Sequence, residues 1–176
     1  MANRTDRHKW FSRNSIWVML PICLLGFPAG ARAANNCAWI NETTASSLLG
    51  GDAVGEVTAS ADKQTTVCTF TQTGTDAVRT LRVTVETAAD PHARMTALAQ
   101  SCGADSAPLK AIGNEALTCS ADDRKGGPGE RLVGRVRDQV FTITIASTLK
   151  KDFTFPREAL QSKIYLAAEQ VAGNLF

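Results

Sequence analysis

The sequence has little of the material from which metal sites and catalytic triads are built. It holds two histidines and one tyrosine in 176 residues, and its five cysteines form neither a C-x-x-C pair nor a cysteine–histidine pair at zinc-ligand spacing. It also contains no G-x-S-x-G motif and no phosphate-binding G-x-x-x-x-G-K-S/T motif. These absences argue against serine hydrolases, zinc proteins and P-loop nucleotide-binding proteins, and we expect no metal and no cofactor.

No apolar run is long enough to cross a bilayer comfortably as a helix. The longest, residues 16–27, is interrupted by Pro21, whereas a spanning helix needs about 20 apolar residues. Basic residues precede this run, and the small residues Ala31 and Ala33 follow it, a pattern typical of a secretory signal peptide. We therefore predict a signal peptide over residues 1–33, cleaved after Ala33, and a single secreted domain over residues 34–176.

Two other fates of the N-terminal segment remain open. Lipidation at Cys23 is one, although a lipoprotein signal has a small residue immediately before its cysteine and here that residue is Ile22. Retention of the segment as an uncleaved anchor is the other. The Ala31-Arg32-Ala33 site fits the signal peptidase requirement better, so we expect no permanent membrane span after signal cleavage.

The excess of basic residues belongs to the predicted signal peptide. Residues 1–33 hold five of the 19 lysines and arginines and one of the 17 acidic residues, so residues 34–176 carry a net charge of −2. This balance does not favour a nucleic acid or an anionic membrane as partner. We expect a periplasmic or extracellular monomer whose partner is a small ligand, a glycan or another envelope protein.

Four cysteines remain after the predicted cleavage. An even number in an exported chain predicts two disulfides, for which three connectivities exist. We favour Cys37–Cys68 and Cys102–Cys119, because the members of each pair are nearest in sequence and each bond would join a helix to a strand.

Hydrophobic periodicity predicts an α+β fold. Alternation of apolar and polar residues indicates strands, and apolar residues at helical spacing indicate helices. The predicted helices cover residues 42–49, 91–102 and 156–174, and the predicted strands lie near residues 54–61, 65–72, 78–87, 116–121, 131–137 and 140–147. Because strands joined by hairpins are followed by a helix twice, we predict a two-layer sandwich: an antiparallel sheet of about five to six strands with helices on one face, and a βββα pseudo-repeat.

The outward face of this sheet is the most suggestive feature of the sequence. If Leu132, Gly134 and Val136 point to the core, the residues between them, including Val133, point away. Guanidinium and hydroxyl groups of this kind suit carboxylate, phosphate or glycan contacts. The alternative is that a half-solvated antiparallel sheet needs a polar face in any case. The candidate binding residues are Arg82, Thr84, Arg131, Arg135, Arg137, Thr142 and Thr144.

Other polar groups give weaker signals. His92, the one histidine of residues 34–176, sits at the start of a predicted helix without the serine motif of a hydrolase, so we interpret it as a surface residue. Asp122 and Asp123 precede a glycine-rich loop but lack the alternating oxygen ligands of an EF-hand. We interpret this loop as a solvated hairpin.

Several short motifs resemble a known group of proteins. They are Cys37-Ala-Trp-Ile, Leu48-Leu49-Gly50, Val67-Cys68-Thr-Phe and Ile112-Gly113-Asn114-Glu115-Ala116, followed by the amphipathic C-terminal helix. Together they resemble small secreted envelope domains, namely the uncharacterised lipoproteins and receptor-kinase sensor domains of actinobacteria. The resemblance implies a disulfide-stapled α/β sandwich with a binding or sensing role and brings no catalytic residues. The chain departs from those lipoproteins in lacking their lipobox cysteine.

We therefore predict a non-enzymatic, exported binding or sensing module of the bacterial cell envelope. Two alternatives remain open. One is an inhibitor of an envelope hydrolase that presents the disulfide-braced loop Gly103–Leu117. The other is a small periplasmic hydrolase that uses carboxylates such as Glu56, Glu86 or Glu115, which a concave pocket and a raised carboxyl pKa would favour.

Overall fold

The computed structural model describes residues 36–121 and 126–176 of the chain. The predicted signal peptide, its cleavage site, Cys23 and the Asp122–Asp123 pair lie outside these residues. The elements, in chain order, are α1 (Glu42–Leu49), β1 (Ala53–Ala59), β2 (Thr65–Thr73), β3 (Val78–Thr87), α2 (Pro91–Gln100), a 3-10 turn (Gly103–Asp105), β4 (Ala107–Leu109), β5 (Glu115–Ser120), β6 (Gly129–Val136), β7 (Gln139–Ser147) and α3 (Arg157–Leu175).

Local sequence signals explain where the helices begin and end. The Asn41 side chain caps α1 by accepting a hydrogen bond from the Thr44 N–H at 2.8 Å, and Gly50, with φ of 78°, ends it. Asp90 caps α2 in the same way, and Pro91 occupies its first turn. The predicted starts of these helices are confirmed. Among the helices described, none is long and apolar enough to cross a membrane.

Within the described residues, seven antiparallel strands form one sheet in the order β1-β2-β3-β7-β6-β5-β4. Two consecutive runs of strands therefore meet where β3 pairs with β7. The prediction of an antiparallel sheet is confirmed, but its size is larger than the five to six strands expected. The additional strand is β4, which has three residues and contains Pro108, so it shows neither alternation nor the composition of a strand.

The main hydrophobic core lies on the sheet face covered by α1 and α3. Side chains that alternate along β3 and β7, such as Leu81, Val83 and Ile143, are fully buried there. Helix α3 adds Leu160 and Ile164 from its apolar stripe. This arrangement follows the predicted periodicity of both element types.

Helix α2 packs on the opposite face of the sheet, which corrects the two-layer prediction with all helices on one face. Its Met95 contacts a second buried cluster with Val133 and Val140. Val133 was expected to point into solvent, but α2 covers it and its exposure is 0%. The pseudo-repeat does not extend to the helices, because α2 and α3 lie on opposite faces.

Both disulfides have the predicted partners. Cys37 is bonded to Cys68, which links the segment before α1 to β2, and Cys102 is bonded to Cys119, which links the end of α2 to β5. Two disulfides are typical of proteins that fold in an oxidising, exported compartment.

A buried ion pair fastens the segment before α3 to β3. Arg79 Nε and Nη2 donate to the two carboxylate oxygens of Asp152 at 2.7 and 3.0 Å. The Ser147 hydroxyl and the Thr154 N–H donate to the same carboxylate at 2.7 and 3.0 Å. Burial alone would raise the pKa of Asp152, but these donors and the arginine charge outweigh burial and lower it to about 2.

Asp152→Asn removes the counter-charge of Arg79, whose side chain is only 14% exposed. We expect the free energy of unfolding at pH 7 to fall by about 3–5 kcal/mol, because a buried charge is left unpaired. Urea denaturation of the wild type and the variant measures this difference in the free energy of unfolding. Asp76→Asn, at an exposed turn position, is the control and should change the free energy by less than about 0.5 kcal/mol.

The same carboxylate makes stability depend on pH. Its pKa in the folded protein lies below the ordinary value of 3.8, which applies to the unfolded chain. Its contribution to stability is therefore complete above about pH 5 and is lost as the pH falls through 2. A shift of this size corresponds to about 2–3 kcal/mol. Unfolding free energies measured from pH 7 to 2 should therefore fall more steeply for the wild type than for Asp152→Asn. Equal slopes would contradict the assignment.

The buried ring of Phe141 packs directly against Gly134 of β6, in the space that a side chain at position 134 would need. A Cβ at this position would lie 2.3 Å from Phe141 Cζ, and the ring is 0% exposed. We expect Gly134→Ala to destabilise the fold by about 1–3 kcal/mol in urea denaturation, because the packed ring must move. Gly173→Ala in α3, where a Cβ meets no atom within 4 Å, is the control and should be neutral or stabilising by up to about 1 kcal/mol.

Candidate functional site

A cleft lies between α2 and the sheet face opposite the main core. Its cavity measures about 590 Å³, a size typical of small-molecule sites. Helix α2 forms one wall with Arg94 and Leu98. We call it the arginine–threonine cleft, after the residues of β3, β6 and β7 that line it: Thr80, Arg82, Thr84, Arg131, Thr142 and Thr144.

The strand register places these side chains side by side. Arg82 of β3 pairs with Thr144 of β7, and Thr144 pairs in turn with Arg131 of β6. In the next row, Thr84 pairs with Thr142. Since paired residues point to the same face of a sheet, the two arginines stand on either side of Thr144.

Five of the seven candidate residues line the cleft, and Arg135 and Arg137 do not. Arg135 belongs to the same face, but its Nε donates to the Glu115 carboxylate at 2.6 Å. Arg137 was predicted to end a strand and point outward. It lies instead in the β6–β7 turn with φ of 55°, and its guanidinium stands 5.7 Å from the ring centre of Phe176.

The cleft contains more positive than negative charge. Glu86 forms an ion pair with Arg94 at 3.0 Å. For Arg82 and Arg131, no carboxylate of the described residues lies within 4.0 Å. Arg131 Nε is buried and has no hydrogen-bond partner among the residues that the structure describes. Arg131 Nη1 lies 3.5 Å from the Ser101 hydroxyl, which is too far for a strong hydrogen bond.

The threonine hydroxyls of the cleft are also uncommitted. Thr80, Thr84, Thr142 and Thr144 are each partly exposed, and they make no side-chain hydrogen bond to the residues that the structure describes. Each hydroxyl can both donate and accept. The floor of the cleft therefore offers hydrogen-bonding groups to a bound molecule.

The disulfide Cys102–Cys119 fixes the α2 wall to the sheet. Cys119 pairs with Arg131 in the β5–β6 ladder, so the bond holds the end of α2 beside this arginine. The apolar contacts of Met95 and Leu98 hold the rest of the helix over β6 and β7. Sequence reasoning did not place α2 here, although two valines on an otherwise polar face, Val133 and Val140, were a signal that something covers them.

The carboxylates considered for hydrolysis are not arranged as a catalytic pair. Glu56 is exposed on the edge strand β1, and Glu86 is paired with Arg94. Burial opposes ionisation of Glu115, but Arg135 and His92, 2.6 and 3.1 Å from its Oε1, outweigh burial and lower its pKa. Glu115 is therefore poorly suited to act as a general acid.

Sequence reasoning missed Glu130, the one carboxyl whose pKa the structure raises among the residues described. Its exposure is 2%, and burial raises its pKa against the opposing hydrogen bond from Thr118 at 2.6 Å. Thr118 has one hydroxyl hydrogen but also lies 3.1 Å from the Arg131 carbonyl oxygen. The hydroxyl therefore lies between the Glu130 carboxyl group and the Arg131 carbonyl oxygen. No sequence signal marked this residue, because its burial depends on the tertiary position of α3.

A second cavity, also about 590 Å³, lies on the α3 side of the sheet, between α3 and strands β4 and β5. Its walls are mainly apolar and include Leu109, Ile164 and Leu166, the last of which is 57% exposed. Thr118, the partner of Glu130, reaches its lining. In contrast to the arginine–threonine cleft, it has no charged residue in its lining.

Comparisons with known proteins do not identify a family. No protein-family model matches the chain, and no curated protein matches it. Among solved structures, a deswapped triple mutant of bovine odorant-binding protein is similar with 10% sequence identity and a TM-score of 0.21. The similarity covers 65% of this chain and 66% of that chain, just under two thirds of its length. A TM-score this low does not define a common fold. Within the described residues, no three His, Cys, Asp or Glu side chains are grouped to hold a metal ion.

Proposed function

We propose that the chain is an exported, non-enzymatic binding or sensing module of the bacterial cell envelope, and that it holds a small anionic ligand in the arginine–threonine cleft. The observation that carries the proposal is the pair Arg82 and Arg131, which face one cavity and have no carboxylate of the described residues within 4.0 Å. Guanidinium groups in such a position favour an anion as their partner.

The cellular setting has separate support. The two disulfides favour an oxidising compartment, and the basic and apolar pattern of residues 1–33 is that of an export signal. The envelope role rests on the resemblance of the motifs around Cys37 and Cys68 to actinobacterial lipoprotein and sensor domains.

The two alternative functions have less support. An inhibitory loop usually presents a large exposed anchor, but in Gly103–Leu117 the side chain of Ile112 is 2% exposed and that of Leu109 is half-buried. A hydrolase needs an accessible carboxyl with a raised pKa. Glu115 has a lowered pKa, and Glu130 is buried on the other side of the sheet.

Native mass spectrometry of the protein, purified gently from its own compartment, tests the proposal. We expect a stoichiometric small-molecule adduct that is lost when Arg82→Gln and Arg131→Gln are combined, because each arginine contributes about 1.5–3 kcal/mol through charged hydrogen bonds. Arg137→Gln, at an exposed turn position outside the cleft, is the matched control and should keep the adduct.

Stability must be measured on the same variants. Neither arginine has a carboxylate partner among the described residues, so the double variant should remain within about 1 kcal/mol of the wild type in urea denaturation. An adduct that survives the double substitution but is lost in Leu166→Asp would show that the ligand binds in the apolar cavity beside α3. This result would contradict the proposal. A stoichiometric protein partner instead of a small molecule would also contradict it.

A further inference from the structure

The arginine–threonine cleft contains three hydrogen-bond donors in one row of the sheet. Arg82 and Arg131 stand in the same row of the sheet, on strands that flank β7, with Thr144 between them. Two strand spacings separate their Cα atoms by about 10 Å. Arginine side chains are long enough for both guanidinium groups to meet a single anion above the Thr144 hydroxyl.

The arrangement of the donors distinguishes between classes of anion. A carboxylate is planar and has two oxygens, which one guanidinium can already satisfy in a bidentate contact. A phosphate ester is tetrahedral and presents three free oxygens. Two forked donors at the sides and a hydroxyl below match three oxygens better than two.

The charge of the cleft favours the same class of ligand. Arg94 is neutralised by Glu86, which leaves Arg82 and Arg131 as two positive charges among the lining residues. A phosphate monoester carries about −1.5 to −2 at pH 7. One such group therefore balances the two arginines.

The size of the cavity indicates that the anion is part of a larger molecule. About 590 Å³ is far more than one phosphate group fills. The space towards α2 is bordered by Leu98 and Val140, with Thr84 and Thr142 on its floor. This mixed lining suits a compact organic group with both apolar and hydroxyl surface.

We infer that the cleft binds a small phosphate monoester, with its phosphate between Arg82 and Arg131 above Thr144 and its organic part towards α2. The inference rests on the proposed function and specifies its ligand class. It requires no chemical step, because the molecule is held and released unchanged.

Isothermal titration calorimetry of the full secreted protein with glycerol 3-phosphate, inorganic phosphate, glycerol and succinate tests the inference. We expect both phosphates to bind, the ester more tightly than inorganic phosphate because it also contacts the wall, while glycerol and succinate bind at least about tenfold more weakly. Arg82→Gln and Arg131→Gln should each weaken the ester by about 10- to 100-fold. Thr144→Val should weaken it less, and Arg137→Gln should leave it unchanged.

The pH dependence gives a second readout, which follows the charge of the phosphate group. Affinity for the ester should fall as the pH drops through about 6, where the phosphate takes up its second proton. Succinate binding as tightly as the ester, or ester binding unaffected by Arg82→Gln and Arg131→Gln, would overturn the phosphate inference. A native adduct that contains no phosphorus but is lost in the double arginine variant would overturn the inference and leave the proposed function standing. A native adduct that contains no phosphorus and also survives the double arginine substitution would contradict both the phosphate inference and the proposed function.

Discussion

The pairing of β3 with β7 is the constraint on which the rest of the structure depends. It joins the two runs of strands into one sheet, and its register decides which side chains face each side. Leu81 opposite Ile145 builds the core, while Arg82 opposite Thr144 builds the cleft on the other face. A shift by one residue would exchange the two faces. Core and candidate site are thus products of the same register, which the buried Asp152 secures by contacting Arg79 and Ser147, themselves a register pair.

Helix α2 turns a flat polar face into a cleft. Met95 and Leu98 cover Val133 and Val140, and the Cys102–Cys119 bond holds the end of the helix to β5. Without this wall, the arginines and threonines would form the ordinary solvated face of an antiparallel sheet. The combination of a polar floor and a covalently anchored wall supports the proposal of ligand binding better than the composition of the face does.

Features encoded by neighbouring residues were predictable from the sequence. Asn41 and Asp90 as helix caps and the alternation along β3 and β7 are of this kind. Both disulfide pairings were predictable because each joins the cysteines nearest in sequence, 31 and 17 residues apart. Features that depend on tertiary packing were not predictable from the sequence. Strand β4 is too short to show a period, the side of the sheet that α2 occupies depends on two valines, and the burial of Glu130 depends on the packing of α3. Five of the seven candidate binding residues share the cleft because alternation sorts residues by face. Alternation cannot tell which parts of a face a helix encloses.

The arginines of the sheet show why a residue pattern alone does not define a site. By alternation, Arg82, Arg131 and Arg135 are equivalent, since all three lie on the polar face. The structure separates them by their partners: Glu115 engages Arg135, whereas Arg82 and Arg131 meet no carboxylate among the described residues. An arginine that is paired with a carboxylate must break that ion pair before it binds another anion. An arginine without such a partner loses only its contacts with water. The number and position of carboxylates, rather than those of arginines, therefore indicate where on this sheet we propose an anion to bind.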